Sequence, residues 1–183
     1  MSSNKNKNVT IRADLLQNKN YAEPSIFWPE NLLRESRRQN NIPLGKIPRI
    51  CILDPDGNFL DYLNNENRVS LNNFWACYHS NLYTSEISEV PVGIILRAVG
   101  ASYAVLIAEQ LFVSGCELLI SITSAGIISD LPQDKKFILI TEAIRDEGTS
   151  YHYIPKHELS VISPYLLQKL KNDQGLWTES KSW

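Results

Sequence analysis

Long apolar runs are missing from this chain. The longest, residues 103–113, is interrupted by Glu109 and Gln110. It falls well short of the roughly 20 residues that cross a bilayer, so no membrane span is expected. The first seven residues are polar and lack an apolar h-region, which argues against a secretory signal. Neither sign of charge dominates: 18 Lys and Arg face 20 Asp and Glu, which excludes a broad basic field for nucleic acid. Cysteine is scarce. Cys51, Cys77 and Cys116 are scattered and odd in number, with neither zinc spacing nor a disulfide framework. These absences lead to the expectation of a reduced, cytoplasmic protein with no nucleic-acid or membrane partner. At 183 residues, a single domain over 1–183 can bury a real core.

What is present is organised in segments. Residues 1–8 are rich in Ser, Asn and Lys, and a flexible stretch is expected over about residues 1–20. Residues 29–38 predict a helix, with Pro29 in its first turn, Glu30 near its positive end and Arg34, Arg37 and Arg38 toward its negative end. Residues 49–53 predict a strand closed by Asp54-Pro55-Asp56-Gly57. The Asp-Gly pair predicts a hairpin turn, with residues 58–63 returning as a second strand. A calcium loop is not expected there, because no acidic residue stands at the closing position. Residues 72–83 are aromatic-rich. As a strand, they would put Cys77 and His79 on one face, yet no further ligand or orienting group can be placed beside them. Packing of Phe74, Trp75 and Tyr78 against a sheet is the better account.

The middle of the chain carries the fold signal. Residues 92–96 are a continuous apolar run, as expected of a strand buried on both faces. Gly100 permits a tight turn, Ser102 can cap a helix, and Ala104, Ile107, Ala108, Leu111 and Phe112 recur at helical spacing before Gly115. Residues 118–122 and 137–141 predict two more strands. Strands alternating with a helix predict an α/β fold, a twisted, largely parallel sheet flanked by helices. Residues 158–171 carry a further helical pattern, interrupted by Pro164.

In such sheets ligands gather beyond the carboxyl ends of the strands. Two small-residue turns fall there, residues 99–102 and 123–126, and turn N–H groups can form an anion-binding concavity. Neither turn is a Walker loop or a dinucleotide fingerprint, because the further glycines and the Gly-Lys-Ser/Thr are absent. The polar run after Thr141 adds Glu142, Arg145, Asp146, Glu147, Thr149, Ser150 and His152. Arg145 either clamps an anion or pairs with Glu142 or Asp146, and the structural pair is favoured. His152 is a candidate pocket residue with a proton to exchange near neutral pH.

Taken in order, Ala98-Val99-Gly100, Glu109-Gln110-Leu111, Thr123-Ser124-Ala125-Gly126 and the run 145–153 resemble the nucleoside phosphorylase superfamily, which includes purine and uridine phosphorylases and related nucleosidases. The resemblance is carried by residues 92–153. It implies a twisted mixed sheet flanked by helices and a homo-oligomer. It also implies phosphorolysis of a nucleoside to free base and ribose 1-phosphate, with inorganic phosphate as co-substrate and no metal or organic cofactor. By this resemblance Gly100 lies at the phosphate loop and Ser124 holds phosphate, with Arg34 as a candidate phosphate-binding arginine and Arg145 and His152 as candidate pocket residues. No catalytic residue is assigned. The departures are specific. Ser121 stands where many members carry an arginine three residues before the phosphate-binding hydroxyl, and the Pro-Gly-Asp-Pro-x-Arg segment is absent. The Met-Glu-x-Glu ribose segment is absent too, and so are the base-recognition residues. A family domain truncated at its C-terminus is therefore expected. Two alternatives stand beside phosphorolysis: a non-catalytic ligand-binding or oligomerisation module, and a nucleosidase that uses water.

Overall fold

The computed structural model describes residues 19–128, 137–155, 157, 159–170 and 176–182. The flexible segment expected over 1–20 lies, except for residues 19 and 20, outside the described residues. The first sheet has the order β2-β3-β4-β1-β5, built from β1 (Ile50–Asp54), β2 (Val69–Leu71), β3 (Tyr83–Ile87), β4 (Val90–Leu96) and β5 (Leu118–Ser121). β1 runs parallel to β4 on one side and to β5 on the other, while β3 and β2 continue antiparallel beyond β4. The sheet is therefore mixed, with a parallel centre, as expected.

β1 is central because both of its faces can be buried. Cys51 and Leu53 face one cluster, with Ile95, Ile107, Leu111 and Trp75. Ile52 faces the other, with Leu60, Leu63, Val92 and Ile94. This alternation is the period of two of a strand. The first cluster is closed by α3 (Ala101–Val113), against which α1 (Pro29–Asn40) packs, and the second by α2 (Asn58–Asn65). Phe112, placed on the inner face by its spacing, is half exposed, and Gln110 is buried in its stead.

Three sequence expectations are corrected. Residues 58–63 are helical rather than a returning strand. The Asp54 carboxylate accepts the N–H groups of Gly57 and Leu60, both at 2.9 Å, and so caps α2 from the end of β1. Gly57 takes φ 86, which an L side chain rarely adopts. Within residues 158–171, α4 (Pro164–Leu170) is preceded by β7 (Leu159–Val161). Pro164 begins the helix instead of interrupting it, because a proline favours an extended residue before it and suits the first helical position. The strand expected at 137–141 is β6 (Phe137–Ile144). It does not extend the first sheet but lies between β7 and β8 (Trp177–Ser182) in a second one. The β3–β4 hairpin went unread in the sequence. Its two-residue turn, Ser88-Glu89, has both φ values positive with no glycine.

Candidate functional site

Because β4, β1 and β5 are adjacent and parallel, the turns that follow them emerge at one edge. Backbone bonds carry the pairing past the strand ends: Arg97 N–H donates to the Asp54 carbonyl (2.9 Å) and Ile122 N–H to the Leu53 carbonyl (3.0 Å). Three turns thus meet, at residues 54–57, 97–100 and 122–126. The sequence predicts two of them, as residues 99–102 and 123–126; the turn at 54–57 joins them because β1 is parallel to β4 and β5.

Gly100 has φ 86 and open space where a Cβ would stand, so its backbone rather than crowding calls for glycine. Its carbonyl accepts the Ala104 N–H (3.0 Å), and among the described residues no side chain caps the start of α3. At the third turn, the Asp56 carboxylate accepts the Ser124 N–H (2.6 Å) and the Thr123 hydroxyl (3.2 Å). The bond from the Ser124 backbone, above all, holds the Asp56 carboxyl below the usual carboxylate range. In this structure, the N–H group expected to meet phosphate is occupied by the protein's own carboxylate.

Arg97 is exposed and takes φ 55. A Cβ placed on Gly57 would lie 3.7 Å from its Nη2, so the guanidinium reaches the first turn. Arg97 also borders a pocket of about 230 Å³ lined by His79, Asn81, Tyr83, Leu96 and Tyr103. The Tyr103 hydroxyl donates to the His79 carbonyl (2.7 Å) and ties the pocket wall to α3. Residues 77–79 are not a strand. The His79 N–H donates to Cys77 Sγ (3.3 Å). Trp75 is buried as expected, whereas Phe74 and Tyr78 are exposed.

The polar run 145–153 comes to the same edge. Its Thr149 hydroxyl lies 2.9 Å from that of Ser102, two residues after Gly100, and the Tyr153 hydroxyl donates to Glu109 Oε1 (2.7 Å). Burial, with Glu109 beside it, pushes the Tyr153 phenol up to about 12. Within the run, the Glu147 carboxylate accepts the N–H groups of Thr149 (2.6 Å) and Ser150 (3.1 Å). Bonds from Ser150 and Thr149 hold the Glu147 carboxyl below its ordinary value.

Arg145 is buried, and its role differs from the favoured pairing. Among the described residues it pairs with neither Glu142, whose partner is Lys181, nor Asp146. Its Nε donates to Ser150 Oγ (2.8 Å), Nη1 to the Pro155 carbonyl (2.7 Å) and Nη2 to the Ile154 carbonyl (3.1 Å), while its guanidinium stacks on Tyr151 at 4.3 Å. In this state the donors an anion would need are taken. The His152 imidazole is on an exposed residue of the 3-10 turn Ser150–His152 and makes no hydrogen bond among the described residues. Arg34 lies on α1, its side chain 70% exposed and 3.8 Å from the Glu35 carboxylate, and among the described residues it contacts none of the three turns. The edge therefore gathers Gly100 and Ser124 and leaves Arg34 aside. Sequence reasoning missed Arg97 altogether and read Asp56 only as a turn residue. The usable signal was a charged residue immediately beyond a buried parallel strand. Among the described residues, no group of three or more His, Cys, Asp or Glu side chains is placed to hold a metal, and no helix is long and apolar enough to cross a membrane.

A family model described as the phosphorylase superfamily matches residues 49–179, more than half of the chain. The chain belongs to the phosphorylase superfamily. The match takes in all three strand-end turns and the polar run. Among solved structures, uridine phosphorylase from Vibrio fischeri, crystallised with 6-hydroxy-1-naphthoic acid, superposes with a TM-score of 0.58 at 20% identity, over 74% of this chain and 57% of that one. Purine nucleoside phosphorylase from Toxoplasma gondii, in complex with immucillin-H, gives 0.57 at 16% identity, over 75% of this chain and 56% of that one. These likenesses establish the superfamily fold. The chain spans a little over half the length of these structures. No curated protein matches it by sequence.

Proposed function

We propose that this chain is a nucleoside phosphorylase-like pentosyltransferase. Its reaction is phosphorolysis of a purine or pyrimidine nucleoside to the free base and ribose 1-phosphate, as part of nucleoside salvage in the cytoplasm. Phosphate is the co-substrate, no other cofactor takes part, and the protein acts as a homo-oligomer. The observation that carries this reading is the convergence of the Gly100 turn, the Ser124 turn and the polar run, joined through the Ser102–Thr149 hydroxyl contact. Phosphate held below the sugar attacks C1′ as the C–N bond breaks through an oxocarbenium-like state, and the base leaves with the bonding electron pair and takes up a proton. Gly100 and Ser124 hold the phosphate, and His152 lines the nucleoside side.

Two observations favour a second reading. Asp56 already sits on the Ser124 N–H, and Ser121 stands in place of an arginine. A carboxylate there disfavours an anion and tolerates water, as in a nucleosidase that releases base and free ribose. Chromatography of base release from a nucleoside panel, with and without phosphate, separates the two. Release that requires phosphate and yields ribose 1-phosphate supports phosphorolysis, and release without phosphate supports hydrolysis. A folded sample that releases nothing under either condition leaves a non-catalytic, ligand-binding member of the superfamily.

A further inference from the structure

We infer that Arg97 is the binding cation of this site, its guanidinium taking a phosphate group beside the 54–57 turn, next to the pocket bordered by His79, Tyr83 and Tyr103. The inference deepens the reading above and rests on it for the identity of the site, but the cation is not one that the superfamily resemblance supplies. That resemblance places an arginine three residues before Ser124, on β5, where Ser121 stands; Arg97 comes from the end of β4.

The other arginines near the sheet are engaged or lie elsewhere. Arg145 is buried and its donors are taken by a hydroxyl and by backbone carbonyls. Arg34 sits beside Glu35 on α1. Arg49 pairs with Glu117 at the opposite, amino-terminal edge of the sheet. Arg68 donates to the Glu86 carbonyl at the β2–β3 side. The Arg97 guanidinium has no hydrogen-bond or ion-pair partner among the described residues and stands at the edge where the three turns meet.

A left-handed conformation is costly for a side chain that carries a Cβ and cannot bond locally, so Gly, Asn and Asp are the usual occupants. Arg97 holds it because two backbone bonds fix it: its N–H to the Asp54 carbonyl (2.9 Å) and its carbonyl to the Val99 N–H (2.8 Å). The base of the side chain is thereby set at the strand end before any ligand arrives, which lowers the ordering cost of binding. A guanidinium carried on a backbone held in this way suits the bidentate recognition of phosphate. It also offsets Asp56, which would otherwise repel an anion at this corner.

A phosphate group can arrive as orthophosphate or on a nucleotide. The test is calorimetric titration of the full chain with inorganic phosphate and, separately, with a nucleoside 5′-monophosphate, using wild type, Arg97→Gln, Arg97→Lys and Arg97→Asn. Affinity for at least one ligand is expected to fall tenfold or more in the Gln and Asn variants and to recover in part in the Lys variant. Arg97→Asn is expected to melt no lower than wild type, since asparagine tolerates the left-handed backbone, so that lost binding is not lost folding. Unchanged affinity in Arg97→Gln, or no binding of either ligand by wild type, overturns the inference. Arg97-dependent binding of the nucleotide alone supports the inference and removes phosphorolysis. Arg97-dependent binding of orthophosphate without base release supports it and removes catalysis.

Discussion

Asp56 and Arg97 give the strand-end corner two opposite charges, and each has a separable effect. Asp56 takes up the Ser124 N–H, so phosphate that uses this group must displace a carboxylate. Asp56→Asn removes the charge at nearly constant shape and is expected to lower the phosphate concentration for half-saturation severalfold, measured by titration; a rise would mean that Asp56 positions the turn for phosphate. The acid response follows from the same bonds. Asp56, Glu117 and Glu147 all have carboxyls held below their ordinary values. A depressed folded pKa contributes stability that is present above the unfolded value of about 4 and is lost as pH falls through the folded value. The melting temperature is therefore expected to hold near neutrality and drop below about pH 4, with a shallower acid drop in Asp56→Asn; a melting temperature that rises on acidification would contradict this. Arg145 belongs to a different class. Its removal leaves the carbonyls of Ile154 and Pro155 without their donor. Arg145→Ala is expected to cost about 2–3 kcal/mol in denaturant melts and to loosen the polar run in hydrogen exchange. A stability within error of wild type would return Arg145 to the pocket residues.

Elements differ in how far local sequence decides them. β1, β4, α1 and α3 were legible because continuous apolar runs and 3.6-residue spacing have few alternative solutions. α2 was not. Asp54-Pro55-Asp56-Gly57 has the composition of a hairpin turn, and only the capping bonds from Asp54, 2% exposed at the end of β1, turn residues 58–65 into a helix. Asp54→Ala is expected to cost about 1–2 kcal/mol by loss of this cap, with the change read in the denaturant midpoint. The candidate site was legible to the same extent as its strands. Gly100 and Ser124 follow from a strand end and a small-residue turn, whereas Arg97 depends on the β4–β1 pairing, a contact between segments some forty residues apart. β4 also hides a packing constraint. A Cβ on Gly93 would come within 2.9 Å of Cys51 Sγ and 3.0 Å of Leu82 Cδ1. Gly93→Ala is therefore expected to destabilise by about 1–3 kcal/mol through overpacking, and an unchanged melt would show that Leu82 can yield.

At the scale of the molecule, two sheets share the chain unequally. The first is covered on both faces, by α3 and α2. The second leaves Phe137 59%, Ile140 44% and Ile144 46% exposed, and β5 ends the first sheet with Ile120 and Ile122 also exposed. The apolar residues 137–140 predicted a strand but not which sheet it would join, because partner choice is set by long-range pairing rather than by the strand's own pattern. An edge strand with apolar neighbours invites another chain. The chain is therefore expected to associate, and light scattering behind size exclusion should give a mass above that of one chain at micromolar concentration. Replacing Phe137 and Ile140 together by Lys, both exposed, is expected to shift this mass downward with little change in the melting of the first sheet. A monomeric wild type with a single cooperative melt would mean that the exposed apolar residues of β6 are tolerated in water, and the homo-oligomer reading would fall with it.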